Sequence, residues 1–119
     1  MKGLSGVEKQ IAIKTKVIER LQKEYLSYVK EFNTEQAKLT KMEEEKDSAG
    51  NVKRQEFIVE ETRIVKNDVK GKLIKEMENL ESMLEEIEDA EVQSSGSFIE
   101  ATECLKKCEV FINQQVLVD

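Results

Sequence analysis

The chain contains no histidine, proline or tryptophan, has only five glycines and two cysteines, and holds aromatic residues at just 5% of its 119 positions. Each shortage excludes something. Without histidine, the commonest general base, the nucleophile–histidine triads and most catalytic zinc sets are out of reach. Carboxylates are plentiful, but amphipathic helices need a solvated charged face, so runs such as Glu43-Glu44-Glu45 indicate no catalytic dyad. The glycines (Gly3, Gly6, Gly50, Gly71 and Gly96) are scattered and build no phosphate-cradling loop. The expectation is a non-enzymatic protein with no cofactor and no metal. Cys104 and Cys108, one helical turn apart, are too few for a disulfide framework or a tetrahedral metal set. They read as one core thiol and one flanking it, in a reducing compartment; a redox role is the alternative.

Long apolar runs are also missing. Nowhere do 18 apolar residues stand together, and the N-terminus carries neither a signal pattern nor an acylation motif. A soluble, cytoplasmic protein is expected. The balance of 19 basic and 25 acidic residues, net −6, disfavours nucleic acid and anionic membrane as partners, since both require a basic footprint.

What the chain does have is charge, at 37% of residues, and an apolar residue every three or four positions, the composition of long amphipathic helices. Counting heptads from Ile11, the a positions read Ile11, Ile18, Tyr25, Phe32 and Leu39, and the d positions Lys14, Leu21, Tyr28, Glu35 and Met42. This predicts one helix over about 6–45, opened by a Ser5/Glu8 capping box. Lys46 to Asn51, with Gly50, form a turn short enough to join antiparallel neighbours. A second run (Ile58, Thr62, Val65, Val69, Leu73, Met77, Leu80, Leu84, Ile87) predicts a helix over about 52–88. Its spacing relaxes around Gly71, which suggests a straightened or bent stretch there. Residues 89–96 read as a polar linker, and Ser97 with Glu100 as the capping box of a third helix over about 98–115, with Phe98, Ala101, Leu105, Cys108 and Ile112 on its stripe. The expected fold is all-α: one elongated, antiparallel three-helix bundle spanning 1–119, with left-handed coiled-coil-like packing. Val116-Leu117-Val118 is apolar enough to pack somewhere.

Charge is unevenly placed: residues 76–91 carry eight acidic side chains and no basic one. A hairpin turning near residue 49 sets Lys14, Lys16 and Arg20 beside the acidic run at 79–85, pairings that select register more than they stabilise. Tyr25, Tyr28 and Phe32 fall on the seam and read as core, with an exposed aromatic anchor for a protein partner as the other possibility. Met77 and Met83 read as gap fillers, with adaptable partner contacts as the other reading.

Two stretches resemble a known family. IKTKVIERLQKEYLSYVKE (13–31) is similar to the first helix of the tubulin-binding cofactor A family, with its Ile-Lys-Thr, basic-Leu-x-Lys-Glu and Tyr-x-Lys-Glu elements. QEFIVEETRIVKNDVKGKLIKEMENLESML (55–84) resembles the second, through Gln55-Glu56, Glu61-Thr62-Arg63, Asn67-Asp68 and the leucines at 73, 80 and 84. Asn67 stands where the family has proline, so no proline kink is implied. The likeness spans about residues 11–88. It implies a cytoplasmic, cytoskeleton-associated chaperone that captures quasi-native β-tubulin released from the cytosolic chaperonin and passes it on for pairing with α-tubulin. Other tubulin-folding cofactors would be further partners, and the protein would be a monomer or weak homodimer. Among positions matching the family, those off or at the edge of the seam are Lys14, Thr15, Arg20, Lys23, Glu24, Glu61, Arg63 and Asp68, the candidate β-tubulin contacts. The alternatives are a structural or scaffolding coiled coil, including a homodimeric one, and a prefoldin-like subunit. Missing tryptophan weighs against a spectrin-like repeat, and the short turn leaves no room for prefoldin strands.

Overall fold

The computed structural model describes residues 6–118, with side chains described through residue 114. Ser5 of the first expected capping box, and the side chains of Val116, Leu117 and Val118, lie outside the described residues. The described residues form four helices, in order α1 (Gly6–Glu44), α2 (Ala49–Glu85), α3 (Ala90–Gln93) and α4 (Gly96–Val118). The described residues contain no strand, and no helix among them is long and apolar enough to cross a membrane. The fold is an all-α antiparallel helical bundle.

Helix ends follow from local hydrogen bonding. α1 stops because Lys46 takes the left-handed conformation, φ 55°. The Lys46 N–H then donates to Glu43 O and the Asp47 N–H to Met42 O, at 3.1 and 3.0 Å. This is a Schellman closure, normally built on glycine. Ser48 opens α2 by accepting from the Asn51 N–H at 3.2 Å, while Asp47 Oδ1 accepts from the Ser48 N–H at 2.7 Å and from Asn51 Nδ2 at 3.0 Å. Gly50 and Asn51, expected to make the turn, already lie in the first turn of α2. The 89–96 linker is not extended: Asp89 caps the single turn of α3, accepting from the Glu91 N–H at 2.9 Å, and this turn buries Val92. α4 is capped by Ser95, whose Oγ accepts from Phe98 N–H at 3.4 Å, so Ser97 sits inside the helix instead of capping it.

The described chain forms two compact units, one from the residues up to Gln22 with those from Leu73 onward, the other from Lys23–Lys72. In the first, α1 buries Ile11, Thr15, Ile18 and Leu21, α2 buries Leu73 and Leu80, and α4 buries Ala101, Cys104, Cys108 and Ile112. Both thiols are therefore core, where one flanking thiol was expected. Cys108 Sγ–H donates to Gln22 Oε1 at 3.3 Å, joining α4 to α1.

The second unit is a helical hairpin whose seam differs from the apolar count. α1 contributes Tyr25, Val29 and Leu39, and α2 contributes Gln55, Val59, Thr62, Lys66 and Val69. Buried positions on α2 therefore recur at 4, 3, 4 and 3, a regular heptad with no relaxed stretch before Gly71. Ile58 is half-buried and Val65 is exposed, one position off the seam on which sequence counting placed them. The reason is that three polar side chains hold seam positions with partners already provided. Gln55 Nε2 donates to both the carbonyl and the carboxylate of Glu35, at 2.9 and 2.7 Å. Thr62 Oγ1 donates to Ile58 O at 2.9 Å, and Lys66 Nζ stands 4.3 Å from the centre of the Phe32 ring. α2 continues through Gly71 as one helix, and a Cβ there would meet nothing within 4 Å.

Candidate functional site

With polar residues turned inward, the hairpin turns apolar ones outward. Phe57 is 64% exposed, Ile64 60% and Val65 40%. Phe57, Glu61, Ile64 and Asp68 follow at spacings of 4, 3 and 4, so two apolar side chains alternate with two exposed carboxylates along one face of α2. Beside it lies a shallow groove of about 440 Å³, lined by Tyr28 and Glu31 of α1 and Glu61, Thr62, Ile64 and Val65 of α2. Tyr28, half-buried at its edge, is both seam and surface.

The expected contact residues divide. Glu61 and Asp68 share this face, although Asp68 is also paired with Lys72 at 3.3 Å. Arg63 points elsewhere: it pairs with Glu60 at 3.6 Å, and its guanidinium carbon lies 5.2 Å from the centre of the Phe32 ring. Lys23 and Glu24 are exposed on the α1 stretch of the same unit. In the other unit Arg20 is exposed and Lys14 half-buried, whereas Thr15 is buried and donates to Ile11 O at 2.8 Å. Thr15 therefore offers no surface, because its hydroxyl is turned back onto its own helix. Sequence reasoning missed Phe57 and Ile64; the signal was there, an apolar pair seven apart and off the seam.

A larger groove, about 730 Å³, lies in the first unit between α2 and α4, with Ile87 and Gln93 at one end. Half-buried Ile74, Met77 and Leu84 of α2 and Phe98 and Leu105 of α4 line it. Met77 is thus a groove residue, where a gap filler was expected. The exposed carboxylates Glu78, Glu81, Glu85 and Glu109 and one ammonium, Lys106, also line it. The register count placed Lys14, Lys16 and Arg20 against the acidic run at 79–85, but none of these groups is in an ion pair among the described residues. Glu81 and Glu85 border the α4 groove instead. No set of three metal-ligating side chains comes together among the described residues.

These features define an all-α helical bundle whose apolar surfaces open on helix faces. Residues 7–105 match the family model of tubulin binding cofactor A, and the chain belongs to that family. Tubulin-specific chaperone A of Homo sapiens is 35% identical over 83 residues, covering 70% of this chain and 77% of that protein. The protein of the same name from Gallus gallus is 36% identical over 86 residues, covering 70% and 80%. Among solved structures, tubulin folding cofactor A from Arabidopsis thaliana superposes with a TM-score of 0.78 at 26% identity, covering 87% of this chain and 95% of that one. Human tubulin chaperone cofactor A gives 0.76 at 29% identity, covering 87% and 98%.

Proposed function

We propose that this protein is a tubulin-folding cofactor that captures β-tubulin released from the cytosolic chaperonin, holds it without catalysis and hands it on for pairing with α-tubulin. Family membership supports the tubulin role. The observation that carries the capture step is the outward Phe57–Ile64 face, with Glu61 and Asp68 between and beside the apolar side chains. Two large apolar side chains left in water are available to cover a partner's exposed apolar surface, and surrounding charges set orientation. A shallow face of this kind binds reversibly, as a hand-over requires. Lys14, Arg20, Lys23, Glu24 and Arg63 are further charged contacts in this reading, and the free protein is a monomer or weak homodimer.

The test is co-elution of the purified chain with freshly chaperonin-released β-tubulin, with α-tubulin alongside. A complex with β-tubulin alone, weakened by about tenfold in a Phe57→Ala/Ile64→Ala variant of unchanged circular dichroism, is expected. No complex, or equal retention of both tubulins, defeats the reading. Exposed apolar faces also seat second copies, the scaffolding alternative; sedimentation of the free protein showing a tight dimer lost in the same variant would replace capture with self-association.

A further inference from the structure

We propose that the α2–α4 groove of the first unit is a second docking site, for a basic amphipathic helix of a protein partner. The groove uses neither Phe57 nor Ile64, so the inference stands apart from the capture face. Its floor is apolar, with Met77 and Leu84 on one helix and Phe98 and Leu105 on the other. Among the described residues its margin carries four carboxylates against the single ammonium of Lys106. None of the four is in an ion pair among the described residues, and no basic residue occurs between 76 and 91 to neutralise them.

The occupant follows from these two features. An apolar floor between two helices receives the apolar stripe of a third, with anchors at i, i+3 or i+4, and i+7. The acidic margin selects lysine or arginine on the edges of that stripe and rejects an acidic helix. Glu78, Glu81 and Glu85 all belong to α2, so the basic edge faces α2, and the edge toward α4 meets both Glu109 and Lys106. Ile74 to Glu85 covers ~17 Å of helix, a wall that an occupant of about 14 residues spans in full. Gln93 Nε2, donating to Ile87 O at 2.9 Å, fixes the loop that closes one end.

The probe is a synthetic peptide of about 14 residues with leucines at helical spacing and lysines flanking them, labelled for fluorescence anisotropy. A control has the same composition in scrambled order. The full chain is expected to bind the periodic peptide, with shifts at the Ile74, Met77, Leu84 and Leu105 methyls in NMR spectra and none at Val59 or Val69. Affinity should fall with added salt and drop about tenfold in Glu81→Lys/Glu85→Lys, whose side chains are exposed and leave the fold intact. No binding overturns the proposal. So does equal binding of the scrambled peptide, which would reduce the site to diffuse charge attraction, as would methyl shifts confined to the Lys23–Lys72 unit.

Discussion

Lys66 Nζ lies 4.3 Å from the centre of the Phe32 ring, on a buried α2 position one residue past the Val65 that apolar counting assigns to the seam. Arg63 approaches the same ring at 5.2 Å. One phenylalanine thus serves two cations, and the attraction gains strength where water is excluded.

A double-mutant cycle checks this directly. Phe32→Leu should lower stability by about 2 kcal/mol, combining lost ring volume with lost cation contacts. Combined with Lys66→Met, the cycle should give a coupling of about 1 kcal/mol in urea unfolding. A coupling of zero would mean that the ring packs beside Lys66 without binding its charge.

Gln55 should behave as a core residue despite its polarity. Gln55→Ala removes both bonds to Glu35 and leaves its main-chain carbonyl without that partner. A loss of about 2 kcal/mol is expected, where an exposed glutamine would give at most about 0.5. Urea midpoints of the variant and the parent chain decide the matter.

The α1–α2 turn allows changes of opposite sign. Lys46 holds a left-handed conformation that glycine adopts without strain, so Lys46→Gly should raise stability by about 1 kcal/mol. Ser48→Ala should lower it by about 1 kcal/mol through loss of the cap. Thermal unfolding of both variants shows whether the two changes move in opposite directions.

Asp47 makes this turn sensitive to acid. The Asn51 amide and then the Ser48 N–H donate to its carboxylate and hold its pKa below the usual 3.8, against a small opposing effect of desolvation. The folded state thus binds the proton more weakly than the unfolded chain does. Its contribution is complete above the unfolded value and disappears as pH falls through the folded one. The gap in urea midpoint between the parent and Asp47→Ala should be steady near neutrality and shrink progressively once pH drops below 3.8. A gap that stays constant through that range would assign the effect to turn geometry instead of charge.

How much of this was legible depends on the residue. On α1, Ile11, Ile18, Leu21, Tyr25 and Leu39 carry the seam with apolar side chains, and counting places all five inside, where they are found. On α2, counting follows Ile58 and Val65, whereas the buried positions are Val59 and Lys66. Periodicity records hydrophobicity alone, and it cannot register that Glu35 and Phe32 wait across the interface to satisfy Gln55 and Lys66. The cap of α4 is ambiguous in sequence for a related reason: Ser95 and Ser97 are equally good caps, and only the backbone path chooses Ser95. Glu61 and Asp68 were found among the surface candidates by resemblance, but the apolar residues beside them were not, because an outward phenylalanine looks in sequence like a misplaced core residue.

The outward placement of Phe57 and Ile64 also bears on how the protein behaves in a test tube. An apolar face left in water is kept from its neighbours largely by mutual repulsion, here from a net charge of −6. With a sequence pI near 4.9, that repulsion vanishes in mildly acidic buffer. Concentrated stocks should therefore turn cloudy there while the helices are still intact, and this outward apolar face sets the acid limit of the protein's shelf life.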